Sequence, residues 1–195
     1  MSQFPKARFL ISAASPAQFV PDAGREVAFV GRSNAGKSSA INTIVNRRQF
    51  ARTSKTPGRT QLVNFFELAL EQRLVDLPGY GFAKVADAMR QNWERLIGDY
   101  FEGRDCIGGL FLIVDIRRGL GDGDRQILDL GEAYGLPLHV LLSKADKLKR
   151  GQAASTLQAA RREVGKRATV QVFSALKRTG VDEARDVLGR YLTGE

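Results

Sequence analysis

Residues Gly31-Arg32-Ser33-Asn34-Ala35-Gly36-Lys37-Ser38 follow a short apolar run, Val27-Ala28-Phe29-Val30. They lead into Ser38-Ser39-Ala40-Ile41-Asn42-Thr43-Ile44-Val45, where Ile41, Ile44 and Val45 share one helical face. Strand, glycine loop and helix start in this order spell a P-loop. Gly31 and Gly36 permit a tight turn, so successive backbone N–H groups converge on a β-phosphate at the helix N-terminus. Lys37 reaches the β- and γ-phosphates, and the Ser38 hydroxyl is placed to ligate Mg²⁺. The stretch from Gly31 to Ser39 therefore predicts a nucleoside triphosphate site, lined also by Arg32, Ser33, Asn34 and Ala35.

Working outward, 195 residues make one domain the simplest expectation. A chain of that size buries about 70% of the surface it exposes when unfolded. Residues 1–24, with Pro16, Pro21 and the apolar stretch Phe9-Leu10-Ile11, read as an extension packed on a domain of residues 25–195. The single cysteine, Cys106, excludes an internal disulfide framework and fits a reducing compartment. His139 is the only histidine and sits among apolar neighbours, which excludes a paired-histidine catalytic or metal site within the chain. No apolar stretch approaches the roughly 18 residues of a membrane span, and the N-terminus lacks a signal peptide's apolar segment. A cytoplasmic protein without membrane attachment is expected. Thirty Lys and Arg against 21 Asp and Glu give a formal charge of +9. The cations cluster at Arg47, Arg48, Arg52, Lys55 and Arg59, at Arg161, Arg162, Lys166 and Arg167, and at Lys177 and Arg178. Such an excess attracts polyanions, nucleic acid first among them.

Strand and helix patterns alternate from Val27 onward. Leu62–Leu68 and Arg73–Asp76 read as a hairpin about Glu71-Gln72, and Gly109–Asp115, Leu138–Leu142 and Thr169–Phe173 as covered strands. Helical stripes carry Trp93, Leu96, Ile97, Tyr100 and Phe101, then Ile127, Leu128 and Leu130, then Leu157, Ala160 and Val164, then Val187, Leu188, Tyr191 and Leu192. The expected fold is α/β, a mostly parallel sheet of about six strands with helices on both faces and ligand at the carboxyl ends of the strands.

Three further segments turn a triphosphate site into a guanine-nucleotide switch. Asp76-Leu77-Pro78-Gly79 ends a strand, where a carboxylate can hold Mg²⁺ through water and the Gly79 N–H can meet a γ-phosphate. Ser143-Lys144-Ala145-Asp146 follows the next strand but one. The Asp146 carboxylate can accept from guanine N1–H and its 2-amino group, and Lys144 can lie against the base plane. Adenine offers no such donors and is rejected by about 10⁴-fold in sites of this kind. Ser174-Ala175-Leu176 again follows a strand, with backbone able to contact guanine O6.

Together with Ser54-Lys55-Thr56-Pro57-Gly58-Arg59-Thr60-Gln61 and Asn64-Phe65-Phe66, these motifs resemble the EngB/YihA/YsxC family of bacterial ribosome-biogenesis GTPases, from about residue 9 to the C-terminus. The resemblance implies a Ras-like, three-layer P-loop GTPase fold that binds GTP and GDP with Mg²⁺. It also implies association with the large (50S) ribosomal subunit or its precursor, through rRNA, with indirect effects on septum formation in cell division. Thr60 takes the switch threonine role, its hydroxyl on Mg²⁺ beside Ser38 and Asp76, with Gly58 and Arg59 in the same segment; Thr56 competes for that role on spacing alone. Ser143 stands where threonine is more frequent, and Arg59 where lysine is also common.

The residue after Gly79 is Tyr80, so the water-positioning glutamine of Ras-like switches is missing and slow intrinsic hydrolysis is expected. Related GTPases hold K⁺ with an asparagine at the place of Asn34, which gives Lys37, Thr60 and Asn34 as catalytic candidates. The competing readings are a ribosome-binding scaffold with negligible turnover, the GTPase module of a tRNA-modifying or membrane-associated system, and an ATPase, which Asp146 disfavours. A monomer is the simplest assembly.

Overall fold

The computed structural model describes residues 4–52, 62–81 and 87–195. Its elements are β1 (Arg8–Ala13), β2 (Arg25–Gly31), α1 (Lys37–Val45), β3 (Val63–Ala69), β4 (Gln72–Asp76), α2 (Asp87–Glu102), β5 (Ile107–Asp115), α3 (Asp122–Ala133), β6 (Leu138–Ser143), α4 (Arg150–Val164), β7 (Thr169–Val172) and α5 (Val181–Thr193). Two short 3₁₀ turns lie at Pro16–Gln18 and Ala145–Lys147.

The strands form one sheet in the order β1-β3-β4-β2-β5-β6-β7. Pairings from β4 through β7 are parallel, while β1/β3 and the β3/β4 hairpin are antiparallel. Because side chains alternate across a strand, each central strand feeds two cores. Val27, Phe29, Phe111, Ile113 and Leu141 face α1 and α5. Ala28, Val30, Leu110, Leu112, Val140 and Leu142 face α2, α3 and α4. Phe29 and Phe111 stack with centroids 4.6 Å apart across the first layer. Both faces are covered, which explains why these strands read as unbroken apolar runs.

The sheet has seven strands, one more than the six segments legible as strands. The addition is β1, drawn from the N-terminal stretch around Phe9-Leu10-Ile11. A bulge between Phe9 and Ile11 breaks its alternation, and half of its residues, Phe9 and Ile11 among them, are exposed, so the period-two signal is lost. Residues 20–23 are fastened separately. Glu26, fully buried, accepts from Arg104 (2.6 and 2.8 Å) and from Arg73 (2.6 Å), and the same arginines donate to the carbonyls of Val20 and Pro21. This knot closes the end of β2 opposite the P-loop.

Candidate guanine-nucleotide site

The carboxyl ends of β2, β4, β5, β6 and β7 bring together most of the residues singled out from sequence. Gly31 ends β2, and the chain turns through Arg32 to Ala35 into α1, which starts at Lys37. Asn34 and Gly36 both adopt positive φ, 65° and 100°. Gly36 does so without side-chain strain, and Asn34 belongs to the residue type that tolerates this region best after glycine. Asp76, 4% exposed, ends β4 and pairs with the Lys37 ammonium. The Ser38 hydroxyl lies nearby on α1, with Arg52 O at 3.4 Å, and Ser39 gives its carbonyl to Thr43. Leu77 is buried and donates its N–H to Phe29 O (2.9 Å), while Pro78 O accepts from the Trp93 indole (2.8 Å). Trp93 is thus more than core filling: it props the loop before Gly79.

At the other end of the site, the Ser143 hydroxyl donates to Ala35 O and Val114 O, and Lys144 Nζ donates to Asn34 O (2.5 Å) and Asp115 Oδ2 (3.0 Å). The bonds to Ala35 O and Asn34 O splice the end of β6 to the P-loop, and those to Val114 O and Asp115 tie it to the end of β5. They also give the Ser143 departure a meaning, because a hydroxyl is all that this bond requires. Ser174 Oγ donates to Asp146 Oδ1 (2.5 Å) and accepts from Lys177 N–H (3.1 Å), while Ala145 N–H donates to Phe173 O (3.0 Å). Asp146, Ser174 and Ala175 therefore form one wall, and Leu176 projects to solvent, 73% exposed. Beneath it, Gln171 Nε2 donates to Gly180 O (2.8 Å) and closes the base of the loop. His139 Nε2–H donates to Gln171 Oε1 (2.8 Å), and its Nδ1 accepts from Thr169 Oγ1 (2.6 Å). Burial lowers the His139 pKa to about 4, so the ring is neutral and structural.

Three residues that sequence reading passed over belong to this site. Asp115, at the end of β5, is clamped by Arg117 through Nε (2.9 Å) and Nη2 (2.6 Å) as well as by Lys144. The Arg117 bonds first, then Lys144, hold its carboxyl well below the usual carboxylate range. Its signal was a carboxylate closing an otherwise apolar strand. Asp124, buried on α3, accepts from the Tyr80 hydroxyl, while the Tyr80 ring packs edge-on to Trp93. Burial raises the Asp124 pKa, partly opposed by that hydrogen bond. Tyr80 consequently turns its one polar atom toward α3. No sequence pattern links it to a carboxylate 44 residues away.

Thr56, Gly58, Arg59 and Thr60, with Lys55, lie outside the described residues. Of the basic clusters, Arg47 donates to Ala7 O (2.6 Å), Arg167 pairs with Asp129 (2.9 Å) and Arg161 reaches Val170 O (3.4 Å). Arg48, Arg162, Lys166, Lys177 and Arg178 are exposed. Among the described residues, no helix is long and apolar enough to cross a membrane, and no cluster of three or more His, Cys, Asp or Glu could hold a metal.

Residues 26–144 match the family model described as "50S ribosome-binding GTPase". The "Probable GTP-binding protein EngB" of Stenotrophomonas maltophilia is 51% identical over 96% of this chain and 96% of its own length. The chain belongs to the EngB family of GTP-binding proteins. Solved structures agree on the fold. A crystal structure of an EngB protein superimposes with a TM-score of 0.70 at 19% identity, covering 87% of this chain and all of that one. Era in complex with MgGDPNP and nucleotides 1506–1542 of 16S ribosomal RNA superimposes with a TM-score of 0.65 at 19% identity, covering 88% and 57%. An EngB-type, guanine-nucleotide P-loop GTPase fold accounts for the whole arrangement at the strand ends.

Proposed function

We propose that this EngB-type protein hydrolyses GTP to GDP and phosphate, and uses the change as a switch during assembly of the large ribosomal subunit. The observation that carries the reading is the splice between Ser143, Lys144 and the P-loop carbonyls. It makes the wall bearing Asp146 and the loop bearing Lys37 one site for one ligand. Asp146 Oδ2 has the Lys147 ammonium 3.8 Å away, beyond hydrogen-bond reach, and keeps acceptor capacity that suits the guanine N1–H and 2-amino donors.

The Ser38 hydroxyl and the Asp76 carboxylate are hard oxygen donors at the phosphate end, the chemistry that suits Mg²⁺, with Thr60 as the third protein ligand in the GTP state. When bound, Mg²⁺ neutralises charge on the β- and γ-phosphoryl oxygens. Lys37 then exchanges Asp76 for a phosphoryl oxygen, and the Gly79 N–H meets the γ-phosphate. Tyr80 engages Asp124 and orients no water, so hydrolysis is slow without help. K⁺ held by Asn34 is one source of help, the ribosome a second. Turnover in KCl against NaCl, with Asn34→Ala alongside, tests the first: equal rates in all four assays would remove the K⁺ role.

The ribosomal partner is the large subunit or its precursor, contacted through rRNA by exposed cations such as Arg48 and Arg162. The rRNA complex of Era, on the same fold, supports that chemistry. The protein acts as a cytoplasmic monomer with a GTPase domain over residues 25–195 and the N-terminal extension packed on it, and effects on septation are indirect. Sedimentation with large subunits and their precursors under GTP analogue, GDP and no nucleotide tests the switch. Equal binding in all three states would overturn it. The Tyr80–Asp124 bond also favours a second reading, a ribosome-binding scaffold with negligible turnover. Stimulation of GTP hydrolysis by ribosomal particles would dismiss that alternative.

A further inference from the structure

Ser33 sits where the P-loop meets the chain leaving β4. Its N–H donates to Tyr80 O at 2.8 Å, and the Tyr80 N–H returns to Gly31 O at 3.4 Å. The backbone donor of Ser33 is therefore spent on protein. Its side chain is not. Among the described residues, Ser33 Oγ is the one buried side-chain nitrogen or oxygen without a hydrogen-bond partner. Buried polar atoms in folded proteins nearly always have a partner, and leaving one without is costly. The described residues offer this hydroxyl none, which points to a ligand atom.

The direction of that ligand is given by Gly79. A methyl group built on Gly79 would stand 3.2 Å from Ser33 Oγ and 3.3 Å from Gly31 O. The hydroxyl thus lies against the glycine whose N–H is set to meet a third phosphate, on the β4 side of the loop. The β-phosphate belongs to the other side, at the start of α1, where N–H groups converge around Lys37 and Ser38. With the β-phosphate at the start of α1, the group that would reach Gly79 is the third phosphate.

We propose that Ser33 Oγ donates a hydrogen bond to the γ-phosphoryl group of GTP, so that this hydroxyl sets the preference for GTP over GDP and reports the third phosphate to the Gly79–Tyr80 segment. The inference deepens the proposed function and rests on that reading of the site. Such a bond is charge-assisted, because its acceptor is an anion. Its loss removes an interaction that GDP never makes.

The test compares Ser33→Ala with the wild-type full chain in two measurements: equilibrium binding of fluorescent GDP and of a fluorescent non-hydrolysable GTP analogue with Mg²⁺, and thermal unfolding without nucleotide. The expected result is an analogue Kd raised about tenfold, a GDP Kd unchanged within about twofold, and a nucleotide-free melting temperature equal to wild type or higher. The last sign is the sharpest, since removing a hydroxyl that has no partner does not destabilise the fold. Equal weakening of both nucleotides would overturn the proposal in favour of a packing role, as would no change in either. A lower nucleotide-free melting temperature would also overturn it, by showing that the fold itself satisfies the hydroxyl. Failure of the wild-type chain to bind either nucleotide would instead strike the guanine-nucleotide reading on which the proposal stands.

Discussion

Asp146 and Asp76 are both carboxylates at the carboxyl ends of strands, with side chains 8% and 6% exposed, yet the contact that fixes each differs. Asp146 is held chiefly by a hydroxyl, that of Ser174 at 2.5 Å, whose loop is closed beneath by Gln171 and His139, while the exposed Lys147 ammonium stands 3.8 Å from its other oxygen, beyond hydrogen-bond reach. Asp76 is held by a charge, the Lys37 ammonium. A neutral donor fixes a carboxylate while leaving its charge for the ligand. An ammonium uses the charge up, and both partners must be re-paired when a phosphate arrives. On the proposed function, the base end is built before guanine enters, whereas the phosphate end works by exchange. On that reading, selectivity for the base belongs to the fold, and response to the third phosphate belongs to the loops.

Breaking the base end at its centre has the largest expected effect. Asp146→Ala removes the proposed guanine acceptor and leaves the Ser174 hydroxyl without its own. GDP affinity should fall roughly a thousandfold while ADP binding stays as weak as before, because sites built to pair a polar group lose that order of discrimination with it. Isothermal titration with both nucleotides checks this. Comparable loss for the two would mean that Asp146 holds the loop and does not read the base.

The support beneath the base end should be sensitive to acid. His139 is buried and neutral, its pKa depressed from 6.5 to about 4. A depressed folded-state value means that stability is complete above about pH 6.5 and is lost as the pH falls toward 4. The full loss is roughly 3 kcal/mol. Urea unfolding between those limits should show this slope, and His139→Gln should flatten it.

How much of this contrast was legible in sequence depends on the distance over which each interaction acts. The placement of the P-loop, Asp76 and Asp146 at strand ends could be read because each motif lies within a few residues of an apolar strand. The hairpin was legible too, although its second strand begins at Gln72, a residue earlier than its apolar pattern, with Glu71 at the tip in positive φ. The ties that distinguish the two ends were not legible. Ser143 to Ala35 spans 108 residues, Lys144 to Asp115 spans 29, and Tyr80 to Asp124 spans 44. No local pattern announces which strand ends will be neighbours; only the order β2-β5-β6-β7 does. The strand β1 was hidden for a different reason, its bulge and exposed edge.

Asp115 allows a milder break confined to the base end. Asp115→Asn keeps the shape but weakens the hold on Lys144 Nζ, and so the grip of that side chain on Asn34 O. GDP dissociation followed by stopped flow should quicken about tenfold, the scale of one charge-assisted hydrogen bond. The ratio of GTP-analogue to GDP affinity should not move. A changed ratio would mean that the two ends are not separable in this way.

The smallest effect is expected at Tyr80, on the phosphate side. Tyr80→Phe keeps the ring against Trp93 and removes the donor to Asp124. Burial raises the Asp124 pKa, and the Tyr80 hydrogen bond opposes that rise, so the variant should raise it further. A carboxyl whose folded-state pKa is raised costs stability as the pH climbs from its unfolded value through its folded one. The Tyr80→Phe deficit should therefore be present at neutral pH, at about 1 kcal/mol, and shrink as the pH falls through the carboxylate range. Guanine affinity should be untouched, since no base-end bond involves α3. A deficit independent of pH would mean that the ring contact with Trp93, and not the hydroxyl, fastens the segment after Gly79 to α3.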